Sequence, residues 1–335
     1  MKYNLDIKGF GPQASRQPLQ AMEFNIKELK PHDVVVKISH CGICYSDIHL
    51  IDGDWDFGSF PFIPGHEVVG QVVAKGKKVK GLKKGTRVGV GWFSKVCGKC
   101  DSCKSKNENL CASPEMTCVG RNGGFADHVV ADDSVIYKIP KKLKSAVAAP
   151  LLCAGWTVHG AYRGHQVKKG SQVAVVGIGG LGHLGLQYAK ALKFKVSAIT
   201  SSKDKTKEAK QLGAKKVYTW DELDQCQNKF DFILVTSHGN PNIDKLAGCL
   251  KVDGNICFVG VPNENLNFHA FNLIMKRAKV SGNPGGSRKM MKEMLSLAAK
   301  HNIKPMIEVF PLAKVNEAID KIKQNRIRYR AVLKV

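Results

Sequence analysis

The sequence predicts an α/β protein, with a mainly β domain followed by a doubly wound parallel sheet carrying helices on both faces. Three observations lead to this. Before residue 150, DVVVKIS, EVVGQVVAKG and TRVGVG have the β-branched density of strands and are joined by Gly- and Pro-marked turns. After residue 170, short apolar runs alternate with helical periodicities, as parallel strands joined by helices require. Between the two lies a glycine-rich turn, VAVVGIGGLGHLGLQYAK, that follows a strand and opens a helix.

The elements follow in order. SAVAAPLLCAGWTVHGAYRGH (145–165) has helical apolar spacing. QVAVVG (172–177) is a buried-strand run, LGHLGLQYAKAL (181–192) repeats at i, i+3 and i+4, and KVSAIT (195–200) is the next strand. KDKTKEAKQLGA (203–214) is a polar helix closed by Gly213. FDFILVT (230–236), a helix near 243–250, and NICFVGVP (255–262) continue the alternation. Helices near 287–300 and 312–324 precede RAVLKV (330–335), a strand with no place in the parallel sheet and able to return to the first domain. The expected domains are 1–153 with 286–335, and 154–285.

Composition bounds the function. The 335 residues are 43% apolar and 24% charged, enough for proper cores, and no run approaches the ~20 apolar residues of a membrane span. The first residues, MKYNLDIKGFGPQ, contain no apolar signal core, so a cytoplasmic protein is expected. The net charge of +24 invites a polyanionic partner. Its densest runs, KGKKVKGLKKG and SSKDKTKEAKQLGAKK, lack the interleaved aromatics of a single-strand stacking surface. They read as solvated faces, and neither a nucleic acid nor a membrane is expected as partner.

Cys97, Cys100, Cys103 and Cys111 are spaced C-x2-C-x2-C-x7-C in a Lys-, Gly-, Asn- and Ser-rich loop. Four thiolates with little apolar material to pack around fit a closed tetrahedral zinc site, structural rather than catalytic. Two disulfides or four free thiols are the alternatives, and nothing in the chain points to an oxidising compartment.

The glycine turn offers Gly177, Gly179, Gly180, Leu181 and Gly182 for close backbone approach to a pyrophosphate at a helix N-terminus. An NAD site would place Asp or Glu about 20 residues past the first glycine. Here Thr200, Ser201, Ser202, Lys203, Asp204 and Lys205 stand there, hydroxylic and then cationic, which favours the 2′-phosphate of NADP(H). Asp204 is the exception, several positions too late for the usual acid.

Three further pieces are CGICYSDIH (41–49), PGHE (64–67) and Cys153 in LLCAGWTVH. A catalytic zinc takes three ligands from Cys, His and carboxylate and keeps a fourth position open. Singly, Cys153 reads as a small core residue, CGIC as a redox pair and His66 as a turn histidine. Together, in the order GICxSD-x-H, PGHE, four-cysteine loop, PLLCAG and GxGGxG, the chain resembles the zinc-dependent medium-chain alcohol dehydrogenases. PLLCAGWTVHGAY, VGIGGLGHLGLQYAKAL and RYRAVLKV look most like their cinnamyl alcohol dehydrogenase branch.

The resemblance spans about residue 30 to 335 and implies a GroES-like catalytic domain with a Rossmann nucleotide-binding domain. It implies catalytic zinc ligands Cys44, His66 and Cys153, with Glu67 able to approach the metal and Asp47 orienting the ligand histidine. Ser46 matches the hydroxyl on the substrate oxygen and His49 the proton relay. Thr157 and the 177–182 turn match cofactor contacts, Ser201, Ser202 and Lys205 the 2′-phosphate positions, and Arg330 an arginine that reaches the pyrophosphate. Trp55, Trp92 and Phe93 fall where the family lines its substrate pocket, against the plainer reading of core aromatics. Tyr45 and the segment VTSHGNPN (235–242) depart from the branch, putting nearby cofactor contacts in doubt. The implied activity is NADP(H)-dependent interconversion of primary alcohols and aldehydes, with two zinc ions per chain, in a homodimer. An NAD-preferring alcohol dehydrogenase, a zinc-less quinone or enone reductase of the same superfamily, and a basic zinc-ribbon protein are the alternatives.

Overall fold

The computed structural model describes residues 2–55, 59–262 and 264–335. The chain forms two compact units. One runs to Cys153 and resumes at Lys304, and the other is Ala154–Ile303.

The first unit is built on the strand Asp33–Ile43, whose Val34, Val35 and Val36 are all fully buried. It pairs antiparallel with Glu67–Lys75, His128–Asp132 and Arg330–Lys334. Glu67–Lys75 continues the sheet to Arg87–Val90 and Tyr137–Lys138, while Arg330–Lys334 is flanked in parallel by Ile307–Pro311. The closing strand therefore belongs to this β unit. Its Ala331, Val332 and Leu333 are fully buried there. The short pair Phe93–Lys95 and Glu115–Met116 forms the base from which the cysteine loop projects.

The second unit is the doubly wound sheet. Six strands, all parallel among the described residues, lie in the order Lys216–Thr219, Lys195–Thr200, Gln172–Val176, Phe230–Val235, Leu250–Phe258, Lys279–Gly282. Numbered along the chain this is 3-2-1-4-5-6. The winding reverses between Gln172–Val176 and Phe230–Val235, and a nucleotide binds beyond the carboxyl ends of the strands at such a reversal. The glycine turn leaves Gln172–Val176 at that point.

Two expectations are corrected. The expected bounds put residues 286–303 in the catalytic domain, but helix Arg288–His301 lies in the Ala154–Ile303 unit with the parallel sheet. Trp156 Nε1 donates to Gly286 O at 2.7 Å, Tyr188 Oη donates to Met294 O at 3.4 Å, and Arg163 pairs with Glu293. An amphipathic helix shows that it has an apolar face without showing which sheet will cover it. The single helix expected over 145–165 is three pieces: Ser145–Pro150, a π turn Leu151–Gly155, and Trp156–Gly164. The π turn begins directly after Pro150, and such wide turns gather at functional positions. This one carries Cys153. No described helix is long and apolar enough to cross a membrane.

Candidate active site

Helix Tyr45–Asp52 starts where the central strand of the first unit ends, with Cys44 as its N-cap. Asp47 secures that start. Its Oδ2 accepts the Cys44 N–H at 2.9 Å, while Oδ1 accepts the Gly65 N–H at 3.0 Å and His66 Nδ1–H at 2.8 Å. One buried carboxylate thus ties the helix to the Gly65–His66 turn and fixes the ring of His66. Gly65 has φ +103°, and a Cβ there would meet Phe125 Cδ1 at 2.5 Å, so only glycine permits this turn.

With Nδ1 committed to Asp47, Nε2 is the nitrogen of His66 left to meet a ligand. It is buried and has no hydrogen-bond partner among the described residues, an arrangement that is costly unless a ligand completes it. Its surroundings are the right donors. One atom each from Cys44, His66, Glu67 and Cys153 lies within 4.8 Å of the others. Cys44 Sγ and Cys153 Sγ are 3.9 Å apart, against about 3.8 Å for two sulfurs on a tetrahedral zinc with Zn–S near 2.3 Å. The residues fit a zinc ion on donor set, separation and the orphaned nitrogen alike.

The electrostatics treat the four groups unequally. The hydrogen bond from Cys153, and then the charge of Arg330, hold the Cys44 thiol well below its ordinary range despite burial. Cys153, donating to Cys44 and partly desolvated, is raised well above it. Burial opposes charge on His66, but Asp47 and Cys153 outweigh it and raise the imidazole well above its usual value. Burial pushes the Glu67 carboxyl up to about 8, opposed by Arg330.

Arg330, expected to reach the pyrophosphate, lies buried with Nη2 donating to Glu67 Oε1, brought there by the pairing of Ala331 with Ile43. Its Nε is buried and makes no hydrogen bond among the described residues.

A further set, Asp47, His66 and Cys118, also lies within 4.8 Å. It is not an ion site, because Asp47 Oδ1 and His66 Nδ1 are spent on each other and on Gly65. Burial pushes the Cys118 thiol up to about 11, leaving it a protonated neighbour of Asp47 Oδ1 at 3.9 Å.

Ser46 and His49 stand at i and i+3 on the helix, on one side of it. Cys44 Sγ is 3.7 Å from Ser46 Oγ. His49 Nδ1 is 2.8 Å from Asp54 Oδ2, an acceptor that favours the ring proton on Nδ1. Asp54 was missed from the sequence, where an acid just past a helix-closing glycine reads as a surface loop residue. Trp55 stacks on His49 with ring centroids 5.0 Å apart, and Trp92 meets His66 edge-on at 4.9 Å and Trp55 at 6.2 Å. Trp92 thus packs directly on His66, and Trp55 bridges Trp92 and His49. Tyr45 adds an edge contact to His49 at 5.1 Å. Phe93 heads the short strand paired with Met116 and packs on the core of the first unit.

In the cysteine loop, Cys97, Cys100, Cys103 and Cys111 converge within 4.8 Å, with Cys97 Sγ and Cys103 Sγ 3.9 Å apart, and no cysteine of the chain is bridged. The backbone N–H groups of Lys99 and Cys100 draw the Cys97 thiol down to about 6, and those of Ala112 and Cys103 lower Cys100. Burial pushes Cys103 up to about 12, so its ionisation requires the metal charge itself. Four sulfurs with every position taken fit a closed structural zinc site.

In the second unit, a Cβ on Gly182 would stand 1.8 Å from Gly177 O, so glycine is needed for the turn to close. A Cβ on Gly179 would meet nothing within 4 Å, and its absence leaves backbone open to a ligand. Thr157 lies in the first turn of Trp156–Gly164. At the end of Lys195–Thr200, Ser202 Oγ donates to Asp204 Oδ2 at 3.0 Å and Lys205 Nζ donates to Ile178 O at 3.1 Å, drawing that loop to the glycine turn. The donors fit a dinucleotide with an additional phosphate.

Residues 30–141 match the alcohol dehydrogenase GroES-like domain family, and residues 180–300 match the zinc-binding dehydrogenase family. The aldehyde reductase AdhA of Synechocystis sp. is 38% identical over 330 residues, 98% of each chain. The chain belongs to the zinc-binding alcohol dehydrogenases. A cinnamyl alcohol dehydrogenase of Sorghum bicolor superposes with TM-score 0.93 at 33% identity, covering 98% of both chains. The CAD of Helicobacter pylori, solved with NADP(H), gives TM-score 0.91 at 30% identity, covering 99% of both. Membership of the cinnamyl branch, the GroES-like plus Rossmann architecture and an alcohol dehydrogenase activity are thereby established, and the zinc-less reductase and zinc-ribbon alternatives fall away.

Proposed function

We propose that this zinc-binding alcohol dehydrogenase uses NADPH to reduce aldehydes to primary alcohols, reversibly, on the zinc held by Cys44, His66 and Cys153. The observation that carries this is the buried His66 Nε2, without a hydrogen-bond partner among the described residues, on a residue that clusters with Cys44, Glu67 and Cys153 within 4.8 Å. When bound, zinc supplies a Lewis acid at the substrate oxygen and the nicotinamide supplies the hydride.

The residues of the chain do the rest. Asp47 holds the His66 proton on Nδ1, so Nε2 stays a ligand. Arg330 holds Glu67 beside the ligands. Ser46 Oγ gives its proton to the substrate oxygen as the alcohol forms, and recovers one from Nε2 of protonated His49. Asp54 holds the Nδ1 proton and steadies the imidazolium. Trp55 and Trp92 offer flat apolar walls, which suits aromatic and longer aliphatic aldehydes over small polar ones. Thr157, Gly177, Gly179, Gly180, Leu181 and Gly182 take the cofactor backbone, and Ser201, Ser202 and Lys205 its 2′-phosphate. The H. pylori neighbour solved with NADP(H) supports that choice.

The test is oxidation of NADPH and of NADH over aliphatic, benzylic and cinnamyl aldehydes. The expected result is kcat/KM at least tenfold higher with NADPH, with benzylic and cinnamyl aldehydes among the best substrates. A higher kcat/KM with NADH overturns the cofactor assignment.

We further propose a homodimer joined through the nucleotide-binding unit. Phe271, Ile274 and Met275 are 67%, 71% and 66% exposed, just before Lys279–Gly282, the last strand in the sheet order. Apolar surface beside an open strand edge favours pairing with a second copy. Sedimentation is expected to give twice the chain mass of 36.6 kDa, and Ile274→Glu to shift it toward the monomer. A monomeric wild type refutes this. Eleven unbridged cysteines support a cytoplasmic location, where thiols stay reduced. Recovery of the protein with bridged cysteines would count against it.

A further inference from the structure

At the end of Lys195–Thr200 three of the groups suited to a 2′-phosphate, Ser202, Lys203 and Lys205, already have internal partners. Ser202 Oγ donates to Asp204 Oδ2 at 3.0 Å, and Lys203 Nζ is 2.7 Å from Glu222 Oε1. The Lys203 contact lowers the Glu222 carboxyl, so that anion persists across the physiological range. Glu222 also has a structural duty, since its Oε2 accepts the Thr219 N–H at 3.0 Å. Asp204 has no such duty. It is exposed, in the short turn Lys203–Lys205, and its recorded contact is with Ser202.

A hydroxyl donates one proton, so Ser202 serves either the Asp204 carboxylate or a phosphate oxygen. A carboxylate on that hydroxyl also repels the phosphate, which carries nearly two negative charges. An NADH ribose carries a 2′-hydroxyl instead, and meets no such repulsion.

We propose that Asp204 is a specificity-determining residue that competes with the 2′-phosphate for Ser202 and so limits how strongly this chain prefers NADPH over NADH. The inference rests on the NADP(H) reading above. It accounts for an acid placed several positions beyond the usual ribose-binding carboxylate. Asp204 does not select NAD; it tempers the preference for NADP.

The experiment is equilibrium titration of the full chain with NADPH and with NADH, followed by fluorescence, for wild type, Asp204→Asn and Asp204→Ala. Asn keeps an acceptor for Ser202 and removes only the charge, while Ala also frees the hydroxyl. Two unit charges about 4 Å apart in water interact by about 1 kcal/mol, or roughly fivefold in binding. Asp204→Asn is therefore expected to lower the Kd for NADPH about fivefold and Asp204→Ala at least as much, with the Kd for NADH unchanged or higher. The gain should shrink in high salt. If wild type prefers NADPH and neither variant tightens it, the inference fails and the cofactor reading stands. If wild type binds NADH as tightly as NADPH, the cofactor reading itself fails.

Discussion

Replacing Cys44 by Ser is expected to lower kcat by about a thousandfold or more while leaving the chain folded. Losing a Lewis acid forfeits several kcal/mol of transition-state stabilisation, and about 4 kcal/mol is a thousandfold in rate. A serine hydroxyl does not ionise near neutral pH, so only one anchored thiol and His66 would remain. The fold is spared for a local reason. Cys44 is the N-cap of Tyr45–Asp52, serine is a favoured N-cap, and the backbone N–H that Asp47 accepts is kept. Elemental analysis should find zinc falling from about two per chain to about one, with thermal unfolding shifted by only a few degrees. Turnover within tenfold of wild type would refute the assignment of Cys44 as a catalytic ligand.

Replacing Cys100 by Ser should have the opposite signature. Zinc again falls from about two to about one per chain, but now the unfolding temperature drops, by about 10 °C, while kcat measured well below that temperature stays within a few-fold. The cysteine loop has little of its own to hold it. Among its cysteines only Cys103 is buried, and Leu110 is 53% exposed. Metal binding in such a lobe is folding free energy, and a loss of about 3–4 kcal/mol corresponds to a shift of that size in a unit this large. An unchanged unfolding temperature with one zinc lost would show that the loop folds without its metal. The two variants remove the same element from the same protein and should separate chemistry from stability.

How much of this was legible in the sequence depends on separation along the chain. The cysteine loop was readable because its ligands are local, and spacing alone limits what four thiols can do. The glycine turn was readable because strand, turn and helix are contiguous. Cys44 and Cys153 lie 109 residues apart, and their approach to 3.9 Å follows from how strands pair and from a π turn after Pro150. Family resemblance supplied that trio; spacing did not. Arg330 and Glu67 are 263 residues apart, and their contact could not be foreseen, because it depends on the closing strand adding beside Asp33–Ile43. The same holds for Arg288–His301, whose apolar face was evident but whose covering sheet was not.

By itself the sequence determined that there are two folding units, a four-cysteine loop suited to one metal ion and a nucleotide turn, since each is carried by local periodicity or by a compact motif. Only the tertiary structure decided which histidine nitrogen Asp47 takes, which carboxylate pairs with His49, where Arg330 rests and which hydroxyl Asp204 accepts from. For His66 and Arg330 the partners lie in distant segments and are chosen by packing and strand register through buried hydrogen bonds. For His49 and Asp204 they are exposed near neighbours, picked by local geometry out of several that the spacing allows.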